Sequence, residues 1–179
     1  MLRAVSLCLV TLSACLCLTG CSHRYGATRQ LQMQGLLQVG ATVYLPEPAP
    51  VANYPRSGTQ TAEAIRDAFD RSGARFELGA AEPDPAAALA AARARGVQYL
   101  VLASVDVWED NATEWSGKRD RIAVRIHLVD TGPGEPIDST DLTGTSRKMT
   151  LGGDHPQELL RKPIDDYVTS LFLGREVTR

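Results

Sequence analysis

Gln98-Tyr99-Leu100-Val101-Leu102-Ala103-Ser104-Val105-Asp106-Val107 is the most apolar strand-like stretch of the chain outside its N-terminus. Four apolar residues in succession, Leu100 to Ala103, lack the alternation of a strand with one wet face. Such a run reads as a strand buried on both faces, hence central in its sheet. Downstream, Arg121 to Asp130 sets Ile122, Val124, Ile126 and Leu128 against Arg125 and His127, the pattern of a half-exposed antiparallel strand. Thr131-Gly132-Pro133-Gly134 turns it into a further strand across Ile137 to Met149.

Upstream, strands alternate with helices. Ala41 to Leu45 is a short strand, followed by an irregular loop carrying Pro46, Pro48, Pro50 and Pro55. Ser57-Gly58-Thr59-Gln60 supplies capping chemistry for a helix over Thr61 to Arg71 that buries Ala62, Ile65 and Phe69 and stops at Gly73. Ala74 to Leu78 alternates as a strand. Asp84-Pro85 opens a second helix that runs to Arg95 and stops at Gly96. His155-Pro156 opens helical structure to Phe172, interrupted or restarted at Pro163, with Ile164, Val168 and Leu171 on one face. Asp154 or His155 is the expected cap. The order is βαβα, then three strands and a C-terminal helix. Two β-α-β crossovers predict an α/β fold, a single mixed β-sheet with helices packed on it. That order resembles the amino-terminal domain of TolB and the domain of penicillin-binding-protein activator lipoproteins, a likeness of fold that fixes no function.

The first twenty residues belong to none of this. Arg3 is their only charge, Ala4 to Leu18 is apolar or small, and Leu18-Thr19-Gly20-Cys21 closes the run. The run is too short to span a bilayer comfortably and has no polar face to sit in a core. It resembles a lipoprotein signal peptide with its lipobox, in which small residues precede a cysteine whose sulfur carries diacylglycerol. Residues 1–20 are then the signal peptide, 21–39 the lipidated cysteine and a tether, and 40–179 a single domain. Leu12-Ser13-Ala14-Cys15 also fits a lipobox, but cleavage there leaves an apolar stub from Leu16 to Gly20. Cys21 is therefore the preferred site, with the lipid bilayer as its partner. By resemblance to Gram-negative lipoproteins, Ser22 rather than Asp after that cysteine points to the outer membrane, facing the periplasm. The alternative is the periplasmic face of the inner membrane.

Cleavage at Cys21 removes Cys8, Cys15 and Cys17 and leaves a domain without a free thiol, disulfide or cysteine metal ligand. It also removes Arg3 alone among the charged side chains, taking 19 basic against 21 acidic to 18 against 21, a net charge of −3. That balance, with no basic stripe carrying interleaved aromatics, argues against nucleic acid as a partner. The tether, Ser22 to about Val39, reaches about 60 Å at full extension, and its second half docks on the domain.

Chemistry-bearing residues are few. Trp108-Glu109-Asp110-Asn111-Ala112-Thr113-Glu114-Trp115-Ser116-Gly117 places both tryptophans and three carboxylates between two strands. It reads either as a binding loop, with Trp108 and Trp115 as contact area, or as a hairpin whose tryptophans pack across it while the acids face water. Glu109, Glu114, Asp154 and His155 are the only candidates for acid/base work. The three histidines lie in separate contexts: His23 in the tether, His127 on the polar side of a strand as partner for a carboxylate, His155 at a helix start. Neither a metal site nor a cofactor is expected, and no nucleophile elbow, Walker loop or dinucleotide glycine pattern occurs.

The Trp-Glu-Asp-x-x-Thr-Glu-Trp-Ser-Gly block, together with Gly152-Gly153-Asp154-His155-Pro156-Gln157 and Ser57-Gly58-Thr59 with its helix, is similar to a family of uncharacterised Gram-negative lipoproteins known as domain of unknown function 4823. The resemblance implies a lipoprotein with one domain and carries over no catalytic residue. The expectation is a non-enzymatic module that binds an envelope protein through a sheet edge or the tryptophan segment. A small-molecule or glycan binder using the same tryptophans is the alternative, and an envelope hydrolase a third reading.

Overall fold

The computed structural model describes residues 23–31, 36–111, 118–147 and 155–172. Six strands form one mixed sheet: β1 (Arg24–Leu31), β2 (Thr42–Pro46), β3 (Arg75–Gly79), β4 (Tyr99–Glu109), β5 (Arg121–Asp130) and β6 (Glu135–Thr145). Among the described residues three helices accompany them: α1 (Ser57–Arg71), α2 (Pro85–Ala94) and α3 (Pro156–Leu171). The spatial order is β1-β6-β5-β4-β2-β3. β2 pairs in parallel with β3 and β4, and all other neighbours are antiparallel. The expected α/β class, the βαβα run (from β2 to α2, with β1 preceding it) and the hairpin of long strands are all present.

Alternation along the strands divides the sheet into two faces. Ile122, Val124, Ile126 and Leu128 of β5 lie buried with Val43 and Leu45 of β2 under α1 and α3. α1 contributes Ala62, Ile65, Ala68 and Phe69, spaced to share one helical face. Phe69 stacks on Phe76 at 5.4 Å between ring centres and meets Phe172 edge-on at 6.3 Å. α2 lies on the opposite face. Its Ala88 and Ala92 join Tyr44, Leu100 and Val129, with Val97 and Leu102 partly buried beside them, in a smaller cluster at one end of the sheet. Side chains this small bury little apolar area, so the second face is closed only locally.

α2 begins as its sequence dictates: the Asp84 carboxylate accepts from the Ala87 N–H at 2.8 Å and Pro85 occupies the first turn. α1 differs. It starts at Ser57, and the residue before it, Arg56, makes no capping bond through its side chain. The Ser57 hydroxyl instead donates to the Tyr54 carbonyl and accepts from the Val51 N–H, both at 2.8 Å, folding the proline loop onto the helix start. Gly58 is required there, since a Cβ would lie 2.1 Å from the Pro48 carbonyl oxygen.

Four further expectations are corrected. The stretch assigned as a tether holds strand β1, an edge strand paired antiparallel along β6 from Arg24↔Thr145 to Leu31↔Ser139. Further along it, Leu37 is fully buried and its N–H donates to the Leu171 carbonyl at 2.8 Å. α3 continues through Pro163 rather than breaking. The Leu159 carbonyl that loses its helical donor to proline sits over Gly144, where a Cβ would come within 3.2 Å of it. His155 precedes α3 in extended conformation without a capping bond from its side chain, and Asp154 lies outside the described residues. Finally, β4 is central but buried on both faces only near Leu100 and Val101; Ser104 and Asp106 are exposed.

Candidate functional site

The two-residue period of the strands, carried across the register, builds rows on the face that α1 and α3 do not cover. One row runs Arg24, Thr145, Arg121, Glu109 across β1, β6, β5 and β4. The next reads Gly26, Thr143, Ala123, Val107, and a third Thr28, Asp141, Arg125, Ser104. Among the described residues only α2 lies on this face, and it reaches no further than Leu100, Leu102 and Val129. The remainder is a polar surface whose charges are matched.

Arg121 donates two hydrogen bonds to Glu109, at 2.7 and 2.8 Å. These bonds, opposed by desolvation and aided by the guanidinium charge, hold the Glu109 carboxyl below its usual range. Arg125 donates to Asp141 at 2.6 Å and has Asp106 at 3.7 Å, while the Ser104 hydroxyl donates to Asp106 at 3.0 Å. His127 lies between Leu102 and Ser139 in the register, so the carboxylate partner expected for it is not its neighbour.

Where β2 ends at Pro46 and β4 runs on, a crevice of about 380 Å³ opens, bounded by 46–49, 82–85 and the Leu102 to Ser104 stretch, with Arg125 and His127 on its floor. This is the switch point of the parallel part of the sheet, where β2 has neighbours on both sides and α1 and α2 lie on opposite faces. Two of its three carboxylates already have partners. Glu47 accepts from the Thr59 hydroxyl at 2.5 Å, and Asp84 caps α2.

The candidates read from the sequence fall in different places. Trp108 is 5 % exposed and belongs to the main core, opposite Ile122, so it offers no contact area to a partner. The binding-loop reading of Trp108 is thereby corrected. Glu109, next in the chain, points the other way and is committed to Arg121. Glu114 and Trp115, like Cys21 and Asp154, lie outside the described residues. His155 is exposed at the start of α3. Among the described residues no three His, Cys, Asp or Glu side chains are placed to hold a metal ion, and no helix is long and apolar enough to cross a membrane. The Asp106–Arg125–Asp141 group was not foreseen. Alternation placed Arg125 on the polar side, but only the register shows which carboxylates flank it.

The structure thus defines a one-sheet α/β domain with long antiparallel strands exposed on one polar face. The chain belongs to the family described as domain of unknown function (DUF4823), whose model matches residues 35–171. No curated protein matches it. Among solved structures it is similar in fold to PelC of Paraburkholderia phytofirmans, described as a dodecamer, with 19 % identity, a TM-score of 0.62, and coverage of 84 % of this chain and 100 % of that one. Looser likenesses are to lipoprotein GNA1162 of Neisseria meningitidis (12 % identity, TM-score 0.47, 72 % and 97 % coverage) and to the LpoB C-terminal domain of Salmonella enterica (17 %, 0.39, 63 % and 86 %).

Proposed function

We propose that this protein is an envelope lipoprotein, acylated at Cys21 and facing the periplasm from the outer membrane. It acts as a non-enzymatic module that presents the open face of β4, β5, β6 and β1 to a protein partner. The observation that carries the reading is that face itself: three cross-strand rows of polar and small side chains that no described helix covers. Flat, charge-balanced faces of this kind suit polar, wet protein contacts more than enclosed catalysis. Glu109, the one described carboxylate of the tryptophan segment put forward for acid/base work, is ion-paired and held ionised, which suits it poorly to donate a proton near neutral pH.

A photo-crosslinking residue placed at Ala123 or Thr143 in intact cells is expected to give a discrete crosslinked product. The same residue at Glu63, on the exposed side of α1, is expected to give none. Product from position 63 alone would reject the open face. A product of twice the chain mass would identify the partner as a second copy. Replacing Cys21 by Ser is expected to abolish palmitate incorporation; unchanged labelling would move the anchor to Cys15.

The crevice above Arg125 and His127 supports a second reading, a small-molecule or glycan binder that no longer depends on Trp108. Retention of a soluble envelope glycan by the purified protein, lost on His127→Ala, would favour it over the protein partner.

A further inference from the structure

β3 is one of the two edges of the sheet among the described residues. The Arg75 N–H donates to the Ala41 carbonyl at 2.8 Å, and the Gly79 carbonyl accepts from the Glu47 N–H at 3.0 Å, so Arg75, Glu77 and Gly79 hold β2. Strand alternation then turns the N–H and C=O groups of Phe76 and Leu78 outward, where no described residue meets them. The other edge, β1, is blunted by a register shift between Arg29 and Leu31 and by Arg29 itself, an inward charge paired with buried Asp138. β3 has no bulge, no proline and no such inward pair.

The side chains of this edge are unusual for an exposed one. Phe76 and Leu78 lie on the α1 face, where Phe76 stacks on Phe69. Arg75 and Glu77 lie on the α2 face, and Glu77 accepts from Arg95 Nε at 2.8 Å through Oε1. Arg75 is exposed and has no ion-pair partner among the described residues. Three large apolar side chains are exposed among the described residues, and two of them stand at this edge: Leu78, 36 % exposed, and Val39, 82 % exposed. Val39 packs beside Gly73 at the start of β3, where a glycine Cβ would come within 3.1 Å of its Cγ1.

We propose that β3 pairs antiparallel with β3 of a second copy of this chain about a two-fold axis at Phe76, joining two six-stranded sheets into one. In that register Phe76 exchanges both backbone bonds with Phe76 of the partner subunit, and the Leu78 N–H donates to the carbonyl of Ala74 of the partner subunit. The bonds stop there, because the Ala74 N–H is committed to the Phe69 carbonyl at 3.1 Å. Arg75 stands directly opposite Glu77 of the partner subunit, at the close cross-strand spacing of about 4.5 Å between Cα atoms, and symmetry repeats the pair. Oε2 of that glutamate is free to accept while Oε1 keeps Arg95. Leu78 covers Ala74 of the partner subunit and reaches toward Val39 of the partner subunit, so each exposed apolar side chain shields the other. Charge selects this register. Sliding the pairing one step either way that keeps the outward groups bonded sets Glu77 against Glu77 or Arg75 against Arg75, like charges directly opposed.

The test expresses the full chain in two differently tagged forms in the same cells and measures how much of one is recovered with the other. Wild-type copies are expected to co-purify. Arg75→Glu in both copies opposes two acids, Glu77→Arg in both opposes two cations, and each is expected to lower recovery about tenfold. Arg75→Glu in one copy with Glu77→Arg in the other restores opposite charges at both symmetric positions, and recovery should return. Leu78→Pro removes an N–H that β2 does not use, so it should abolish recovery with an unchanged circular dichroism spectrum. Crosslinking from Ala123 should survive all of these variants, which separates this contact from one made by the open face. Wild-type copies that fail to co-purify, recovery that neither charge change lowers, or a mixture that stays apart overturns the pairing. Recovery gained only when residues 174–179 are deleted would give the edge to the chain's own C-terminal end, and overturns it as well.

Discussion

The two faces of the sheet are built from the same strands, yet they hold their side chains by opposite means. On the α1/α3 face, Ile122, Val124, Ile126 and Leu128 meet Phe69, Leu159, Ile164 and Val168 with almost no solvent contact. On the open face, Arg121 and Arg125 meet Glu109, Asp106 and Asp141 in water. The first arrangement is strong and non-specific in direction, while the second is weak and fixed by geometry. The covered face therefore carries the fold, and the open face is free to change its contacts without unfolding the domain. Family membership through 35–171 takes in both faces except for β1, which precedes that span.

Truncation at the boundary between the faces is the sharpest way to break this division. Trp108 and Glu109 are adjacent but point to opposite sides, so their substitutions should separate. Trp108→Ala is expected to cost about 3–5 kcal/mol, read as a fall in the urea midpoint, because it leaves a cavity against Ile122. A Trp108→Ala variant that keeps its stability and loses crosslinking at Ala123 would return Trp108 to the binding surface.

A smaller effect is expected at the described ion pair whose carboxylate is fully buried on the covered side. Arg29 of β1 donates to Asp138 at 2.5 Å, Asp138 is fully buried, and the Arg29 guanidinium lies 5.2 Å from the centre of the Tyr167 ring. Asp138→Asn leaves the guanidinium without its counter-charge and is expected to destabilise by about 3 kcal/mol. Replacing both, Arg29→Met with Asp138→Leu, should recover a large part of that loss, since the desolvation cost of both charges is then gone. Hydrogen exchange along β1 reads the same contrast: Asp138→Asn should expose the β1 amides before those of β5. Equal protection of both strands would show that this pair does not hold the edge.

Local chemistry made much of the covered face legible in the sequence. The β5 alternation gave its bounds and its buried set, and Asp84-Pro85 with Gly96 bracketed α2. β1 was not legible, because Arg24 to Leu31 contains Gly26 and no apolar period. It is a strand by virtue of β6, whose free edge supplies its hydrogen bonds, and of Asp138, which fixes Arg29. The passage of α3 through Pro163 was hidden for a similar reason. Its cost is moderated by packing against Gly144, a contact between residues far apart in the chain. On the open face, composition showed which residues are polar, and their grouping around Arg125 needed the register. Local patterns reveal which way a side chain points; its partner across strands follows only from the pairing.

The smallest effect belongs to the open face and has a defined pH dependence. The Glu109 carboxyl is held below its usual value of 4.5 chiefly by hydrogen bonds from Arg121. A carboxyl whose folded value is lowered adds stability above its unfolded value, and that contribution fades as pH falls through the folded one. Glu109→Gln should therefore lower the urea midpoint slightly at pH 7, and by progressively less as the pH falls through the lowered Glu109 value. The pair is solvent-exposed, so its contribution is small and should shrink further in salt. A Glu109→Gln effect as large as that of Trp108→Ala, or one that does not shrink as the pH is lowered, would mean that this face is load-sharing with the core. It would then be a structural surface, and its freedom to meet a partner would be lost.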